Sequence, residues 1–269
     1  MNTVDLPSGF QEDDLLEEDH ALSELLFELS STDRLRLLFI GRSDQLRLSQ
    51  LAKKTAASVQ ETARHLERLT AARLVEKNAR GEYLLTSMGK LCLDQFSSLR
   101  FAAKYRSYIL EHDFSFLPEE FLHRLGELLT SELADNVSDI LHHTETVMRE
   151  GKEYVFLMAD QALVPSYSAE VPHPNPDGMV SWKSIIPYSV FANLPELKAI
   201  PKNIEVRFLN SPKVAIAMNE KLAGVCFPDL KGKLDMSSGL RGKGASMHKW
   251  CHDLFMYCWE EAESPRRNL

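Results

Sequence analysis

Three polar side chains recur at four-residue steps within the segment Ser58–Ala72, which otherwise has the apolar spacing of an amphipathic helix. Gln60, Arg64 and Arg68 therefore share one helix face, and His65 lies beside them. Side chains of these types can hydrogen-bond base edges in the major groove of DNA. An ordinary solvated surface position is the alternative for any one of them.

The apolar residues of the same helix predict its buried face, because they recur at three- and four-residue spacing. Ser58 followed by Glu61 forms a capping-box pattern, so we expect the helix to begin there and Glu61 to serve the cap rather than a base. Ser58 and Thr62 are predicted as hydroxyl donors to phosphate. The predicted buried residues are Val59, Ala63, Leu66 and Leu69.

Groups suited to phosphate flank this helix on both sides. The preceding short helix, Gln50–Thr55, offers Lys53 and Lys54, and the turn of a predicted β-hairpin offers Asn78 and Arg80. We therefore predict that these four side chains contact the DNA backbone while the longer helix reads bases.

The charge of the chain changes along its length. Residues 31–91 contain twelve Lys and Arg against six Asp and Glu, a net +6, whereas residues 1–30 carry −9 and the whole chain −8. A positive segment in an acidic protein is typical of local phosphate binding, with random fluctuation of surface charge as the alternative. A protein that is uniformly coated with positive charge is excluded.

The elements around these residues follow a definite order. Periodicity and caps predict helix, helix, strand, helix, turn, helix, hairpin and helix over residues 15–111. The last helix, Thr86–Glu111, contains no proline and carries a run of Leu, Phe and Tyr residues. We expect it to pair with its copy in a homodimer, together with Leu15–Leu29; packing onto its own chain is the alternative.

This stretch resembles the DNA-binding domain of ArsR/MarR-like transcriptional regulators of archaea and bacteria. The resemblance rests on Ser49–Ala52, Ser58–Ala72, Leu74–Lys77 and Tyr83–Gly89, which have the residue types and spacing of that family. Arg73 departs from the pattern, because the family usually has Gly where the recognition helix ends. The resemblance implies a winged helix-turn-helix that binds double-stranded DNA.

The region after residue 112 has its own helices and strands. It predicts an α/β regulatory domain over residues 113–269 beside a DNA-binding domain over residues 13–112, and an α+β fold class for the chain. Phe121–Leu128, after Pro118, and the final helix Ser246–Glu261 are similar to the domain that follows the winged helix in archaeal regulators of the methanogenesis-regulator family. That resemblance implies a sensor of a signal that it does not name.

Five cationic residues of this region lie in or beside apolar stretches, where an unpaired charge is costly. An anionic small-molecule effector is expected if they converge on one cleft, whereas pairing of each with Asp or Glu is the alternative. Two of them belong to the glycine-rich segment Gly239–Gly244, which is predicted as a loop. The five are Arg124, Lys183, Arg207, Arg241 and Lys243.

His248, Cys251 and His252 share one face of the final helix, at i, i+3 and i+4. Their types suit zinc. The aromatic and aliphatic residues that crowd the same helix favour a core position for them. We therefore predict neither a metal nor a cofactor.

The sequence offers no residues to which catalysis can be assigned. The segment Gly239–Gly244 lacks the GxxxxGK[ST] pattern of a phosphate-binding loop, and no GxSxG motif occurs. We therefore predict a transcriptional regulator that is not an enzyme. The alternatives are a small-molecule-handling enzyme domain with an accessory DNA-binding domain, and a protein-interaction adaptor.

Cysteine usage and hydropathy predict the compartment. The four cysteines are dispersed without a CxxC pair, which favours reduced thiols. No apolar run reaches the ~18 residues that a membrane span needs, and the acidic start is not that of a signal peptide. A cytoplasmic protein without a membrane partner is expected.

Overall fold

The computed structural model describes residues 12–161, 180–193 and 204–264, with side chains from residue 19 onward. The chain divides into two compact units, Met1–Phe96 and Ser97–Leu269. We predicted a division after residue 112. The observed one falls earlier because Phe101, Tyr105 and Tyr108 are buried in the core of the second unit.

The first unit has the order of helices and strands that the sequence predicts. Its three strands form an antiparallel sheet in the order β1-β3-β2, in which Leu46 pairs with Tyr83 and Val75 with Leu85. The elements are α1 (Glu12–Leu29), α2 (Thr32–Gly41), β1 (Leu46–Arg47), α3 (Leu48–Thr55), α4 (Val59–Ala71), β2 (Val75–Lys77), β3 (Glu82–Leu85) and α5 (Ser87–Lys104), which continues into the second unit.

The segment between the hairpin and α5 fixes the hairpin against the helices. The Thr86 hydroxyl accepts a hydrogen bond from the Gly89 amide at 3.0 Å, which caps α5 as predicted. The carbonyl of Leu74 comes so close to Gly89 that a Cβ there would lie 2.1 Å from it. Glycine is therefore required at this position by packing.

The second unit combines one large sheet with helices. The strands of this sheet lie in the order β4-β10-β9-β8-β5-β6-β7. Strands β5, β6 and β7 are parallel to one another, and the other neighbouring pairs are antiparallel. Its other elements are α6 (Arg106–Glu111), α7 (Glu119–His123), a 3-10 turn (Leu125–Leu128), β4 (Glu132–Ala134), α8 (Val137–Glu150), β5 (Tyr154–Met158), β6 (Ser181–Ile186), α9 (Tyr188–Ala192), β7 (Ile204–Phe208), β8 (Ala215–Asn219), β9 (Ala223–Cys226), β10 (Gly239–Gly242) and α10 (Ala245–Glu261).

Two helices cover opposite faces of this sheet. Along β5, Phe156 packs in the same cluster as Trp250 of α10, whereas Val155 and Leu157 pack with Val147 of α8. Successive strand residues point to opposite faces, so both faces of β5 are buried. Together with the first unit, this sheet confirms the predicted α+β fold class.

Two predictions of secondary structure are wrong. The helix predicted over Thr86–Glu111 is interrupted at Tyr105, whose hydroxyl donates to the carbonyl of Ser131. The segment predicted as a glycine-rich loop contains β10, in which Leu240 pairs with both Leu133 and Val225. Both features depend on partners that are distant in sequence.

Candidate nucleic-acid interface

The helices α3 and α4 are joined by a tight turn. Ala56 adopts a left-handed conformation with φ of 56° and ends α3. Ser58 caps α4: its hydroxyl accepts from the Glu61 amide at 3.1 Å and donates to the Glu61 carboxylate at 2.8 Å. The Ser58 amide also donates to the Glu61 carboxylate at 3.2 Å, which confirms the predicted capping box. The two bonds that this carboxylate accepts from Ser58 lower the pKa of Glu61.

The buried face of α4 differs from the prediction in the first turn of the helix. Val59, predicted to be buried, is 53% exposed, whereas Thr62, predicted as a phosphate donor, is 1% exposed and donates to the Ser58 carbonyl at 2.9 Å. The buried residues Leu66 and Leu69 were predicted correctly. Thr62 therefore contributes to the core and not to a surface.

The outward face of α4 carries Gln60, Arg64 and Glu67, all exposed. Their spacing of four and three residues aligns them on one side of the helix. Arg64 has no hydrogen bond or salt bridge with any residue that the structure describes, and its charge lies close enough to Glu61 to lower the pKa of that carboxyl. Sequence reasoning did not name Glu67, although its spacing of three residues from Arg64 places it on the same face.

Arg68 lies one turn after Arg64 on α4 and already has partners. Its guanidinium donates to the Glu28 carboxylate of α1 at 2.5 and 3.1 Å, and it stacks over the Phe27 ring at 5.1 Å from the centroid. Arg68 is therefore paired within the chain and not free, as the predicted reading of bases would require. Glu28 lies forty positions before Arg68 in the sequence, so no local pattern reveals this pairing.

His65 also faces inward. Its side chain is 14% exposed, its Nε2 lies 3.9 Å from Asp33 of α2, and its Nδ1 is buried without a partner among the described residues. The predicted contact to a base would need an exposed ring, and this ring is largely buried.

The predicted phosphate contacts divide into exposed and engaged side chains. Lys53 and Arg80 are exposed, and their side chains bond no other residue in the described part of the chain. Lys54 forms a salt bridge with Asp44 at 2.6 Å. The Asn78 side chain accepts from the backbone amides of Arg80 and Glu82 at 2.9 and 3.0 Å, so it builds the turn instead of facing solvent.

The five cations of the second unit do not converge on one cleft. Lys183 and Arg207 meet at Trp259, their charged groups 4.4 and 4.6 Å from its ring centroid, and Lys183 also pairs with Glu205 at 3.0 Å. The others have separate surroundings: Arg124 binds Glu127 and Asp253, Arg241 lies 3.9 Å from Asp139, and Lys243 is exposed. The predicted anion site is not formed.

The three residues considered for a metal have different environments. His248 Nε2 lies 2.7 Å from the Asn219 carbonyl and 2.9 Å from the Tyr154 hydroxyl. Cys251 is fully buried, and burial raises the pKa of its thiol. Among the residues that the structure describes, no group of three or more His, Cys, Asp or Glu could hold a metal ion.

Sequence reasoning missed a cluster of Ser238, His112 and Asp235. His112 Nε2 lies 3.1 Å from the Asp235 carboxylate and 3.2 Å from the Ser238 hydroxyl, while Nδ1 lies 2.7 Å from the Tyr108 carbonyl. In a catalytic triad the carboxylate and the hydroxyl lie at opposite ring nitrogens. Here both meet the same nitrogen, so the cluster ties α6 to the segment before β10 and is no nucleophile relay.

A cavity of about 20 Å³ lies between α8 and the sheet, lined by His143, Gly224, Cys226 and Arg241 among others. His143 Nε2 is buried without a partner in the described part of the chain, and a Cβ at Gly224 would lie 2.7 Å from it. Burial raises the pKa of the Cys226 thiol to about 12, which leaves it protonated and unreactive at neutral pH.

Comparison with known proteins gives weak likenesses. No family model and no curated protein matches the chain. Among solved structures, it is similar to TrmBL2, an archaeal chromatin protein described as showing a novel mode of DNA binding (14% identity, 91% of this chain and 99% of that chain, TM-score 0.40). It is also similar to NucT from Helicobacter pylori (11% identity, 50% and 98%, TM-score 0.39).

The prediction that the chain is not an enzyme is withdrawn. The matching structures include human N-acetylserotonin methyltransferase in complex with SAM (14% identity, 76% of this chain and 68% of that chain, TM-score 0.27). A likeness this weak assigns no activity.

Among the helices of the described residues, none combines the length and the apolar composition that a membrane span needs.

Proposed function

We propose that the first unit is a winged helix-turn-helix of a sequence-specific, DNA-binding transcriptional regulator, with α4 as the helix that enters the major groove. One observation carries the proposal: Arg64 is exposed and unbonded at the centre of the outward face of a well-capped helix. Gln60 and Glu67 flank it on that face. Arg pairs with guanine, Gln with adenine, and Glu accepts from cytosine.

Lys53 of α3 and Arg80 of the hairpin turn complete the proposed interface. Both are exposed cations on the elements next to α4. Cationic side chains suit phosphate, and contacts to phosphate position the protein without reading the sequence. Their contribution to affinity therefore falls with salt through the release of counterions.

We further propose a homodimer whose second unit is regulatory. The helices α1 and α5 each leave apolar side chains exposed, among them Leu22, Leu26 and Leu91. Because the five cations of the second unit do not form a common site, we propose a small-molecule effector without assigning it a charge.

Fluorescence anisotropy on the full chain tests the assignment of the reading face. Sequence selection from random duplexes supplies the specific site, and a scrambled duplex serves as the nonspecific one. Arg64→Ala should weaken specific binding by about 1–3 kcal/mol, whereas Arg68→Ala, the matched control on the same helix, should bind as the wild type does. Wild-type affinity in the Arg64→Ala variant would contradict the proposal.

The nonspecific duplex separates the two kinds of contact. Arg80→Ala should weaken binding to the specific and to the scrambled duplex by the same factor, because a phosphate contact carries no sequence information. A loss confined to the specific duplex would move Arg80 to the base-reading set.

A further inference from the structure

Glu28, near the end of the acidic helix α1, lies between two arginines. Arg68 of α4 donates to both of its oxygens at 2.5 and 3.1 Å, and the Nε of Arg34 of α2 lies 3.4 Å from one of them. The Arg34 side chain is 7% exposed and that of Glu28 19%. The carboxylate is thus held in a partly buried position, where an ion pair is screened less than on an open surface.

The two arginines differ in what else they bind. Arg34 donates to the carbonyls of Glu28 and Phe27 at 2.5 and 2.7 Å and so ends α1. Arg68 bonds only to the carboxylate within the described chain, and its side chain is 40% exposed. It is therefore the partner that solvent ions can reach.

Hydrogen bonding from Arg68 lowers the pKa of Glu28, so the carboxylate stays charged at neutral pH. A phosphate oxygen offers Arg the same two-pronged acceptor geometry as a carboxylate does. Glu28 engages the Nε and one Nη of the guanidinium, and the charge of its carboxylate repels a phosphate that approaches the remaining donors.

We propose that Glu28 competes with nucleic-acid phosphate for Arg68. The carboxylate pairs with this arginine of the reading helix and so removes one phosphate contact from DNA. The inference rests on the proposed function. It assigns Glu28 as a positioning residue that sets nonspecific affinity, since a contact to phosphate adds binding to every sequence.

Freeing Arg68 has a measurable signature. A further phosphate contact makes the slope of log K against log salt steeper by about 0.9 on duplex DNA. Glu28→Gln keeps the size of the side chain but removes its charge. Glu24→Gln is the matched control: Glu24 lies on the same helix, its side chain is 74% exposed, and it contacts His20 and not Arg68.

The experiment measures the affinity of the full chain for a scrambled duplex between low and moderate salt. Glu28→Gln should bind roughly tenfold more tightly than the wild type at low salt, with the slope steeper by about 0.9, and the second change Arg68→Ala should abolish both effects. Equal effects of Glu28→Gln and Glu24→Gln, or effects that persist in the double variant, would overturn the proposal.

Arg68→Ala alone tests the same inference without altering Glu28, in case Glu28→Gln does not fold. An occupied arginine contributes no phosphate contact, so the slope should equal that of the wild type. A slope shallower by about 0.9 would show that Arg68 already binds DNA and would overturn the inference. If the wild-type protein binds no duplex at all, the proposed function fails instead.

Discussion

At the scale of single residues, the surroundings of His143 disfavour its charged form. Burial lowers its pKa to about 4, and the positive charge of Arg241 adds to the effect. In the unfolded chain an imidazole has a pKa near 6.5. Between these values the unfolded state binds a proton that the folded state does not, so stability is complete above about pH 6.5 and falls as the pH drops to about 4.

His143→Gln removes this proton uptake. We expect the free energy of unfolding of the wild type to fall by up to about 3 kcal/mol over that pH range on account of this group, and the variant to lose that part of the fall. Chemical denaturation at pH 7, 5.5 and 4.5 measures it. His142→Gln is the matched control, because His142 is exposed; identical profiles for the two variants would contradict the assignment.

The arginines of α4 show where sequence reasoning succeeds at this scale and where it fails. Arg64 and Arg68 have the same type and lie one turn apart, and both were predicted to read bases. Glu28 distinguishes them, because it pairs with Arg68 only once α1 has packed on α4. The buried positions Leu66 and Leu69 were predicted correctly, but in the first turn Thr62 is buried instead of Val59, since its hydroxyl bonds the Ser58 carbonyl.

At the scale of elements, the end of α4 stores strain at Arg73. This residue adopts φ of 56°, the left-handed conformation that favours Gly. The amide of Leu74 donates to the Leu69 carbonyl at 2.9 Å across this turn, a bond of the type that commonly closes helices. A side chain in this conformation costs roughly 1 kcal/mol relative to Gly.

Arg73→Gly should therefore stabilise the first unit by up to about 1 kcal/mol, with the gain reduced by the greater freedom of Gly in the unfolded chain. Thermal unfolding monitored by circular dichroism measures the change. Ala72→Gly is the control, because Ala72 has φ of −75° and gains nothing from Gly. Stabilisation by Ala72→Gly, or loss of stability by Arg73→Gly, would contradict the explanation.

Elements defined by local bonds were predictable, and those defined by distant partners were not. The capping box of α4 and the predicted hairpin, formed by β2 and β3, follow from residues within a few positions of one another. The strand β10 forms because β4 and β9 pair with its two sides, and the Gly-rich composition hides that. The interruption of the long helix at Tyr105 likewise depends on Ser131, twenty-six residues away.

At the scale of the whole molecule, the uneven charge agrees with the proposed roles of its parts. The basic stretch, residues 31–91, covers the elements that carry the proposed DNA contacts, whereas the acidic residues 1–30 fall largely on α1. Acidic side chains repel phosphate, so in a complex α1 is expected to face away from the duplex except at its last turn, where Glu28 pairs with Arg68 of α4. That leaves its exposed apolar side chains available to a second copy of the chain.

The exposed apolar side chains of α1 predict a homodimer. On α1, Leu25 and Leu29 pack into the core of the first unit, while Leu22 and Leu26, one turn apart, are 53% and 45% exposed. Burying such a pair against its symmetry mate removes apolar surface from water at about 25 cal/mol per Å². Multi-angle light scattering at micromolar concentration should give twice the chain mass of 30.6 kDa for the wild type.

The double variant Leu22→Glu/Leu26→Glu should give the monomer mass, because four buried carboxylates would face one another across the two-fold axis. Leu230→Glu is the control: Leu230 is 68% exposed but belongs to the second unit. A dimer should also prefer two half-sites about one helical turn apart, and the monomeric variant should bind both spaced and unspaced half-sites equally. A wild-type protein that is monomeric, or a double variant that remains dimeric, would remove α1 from the interface.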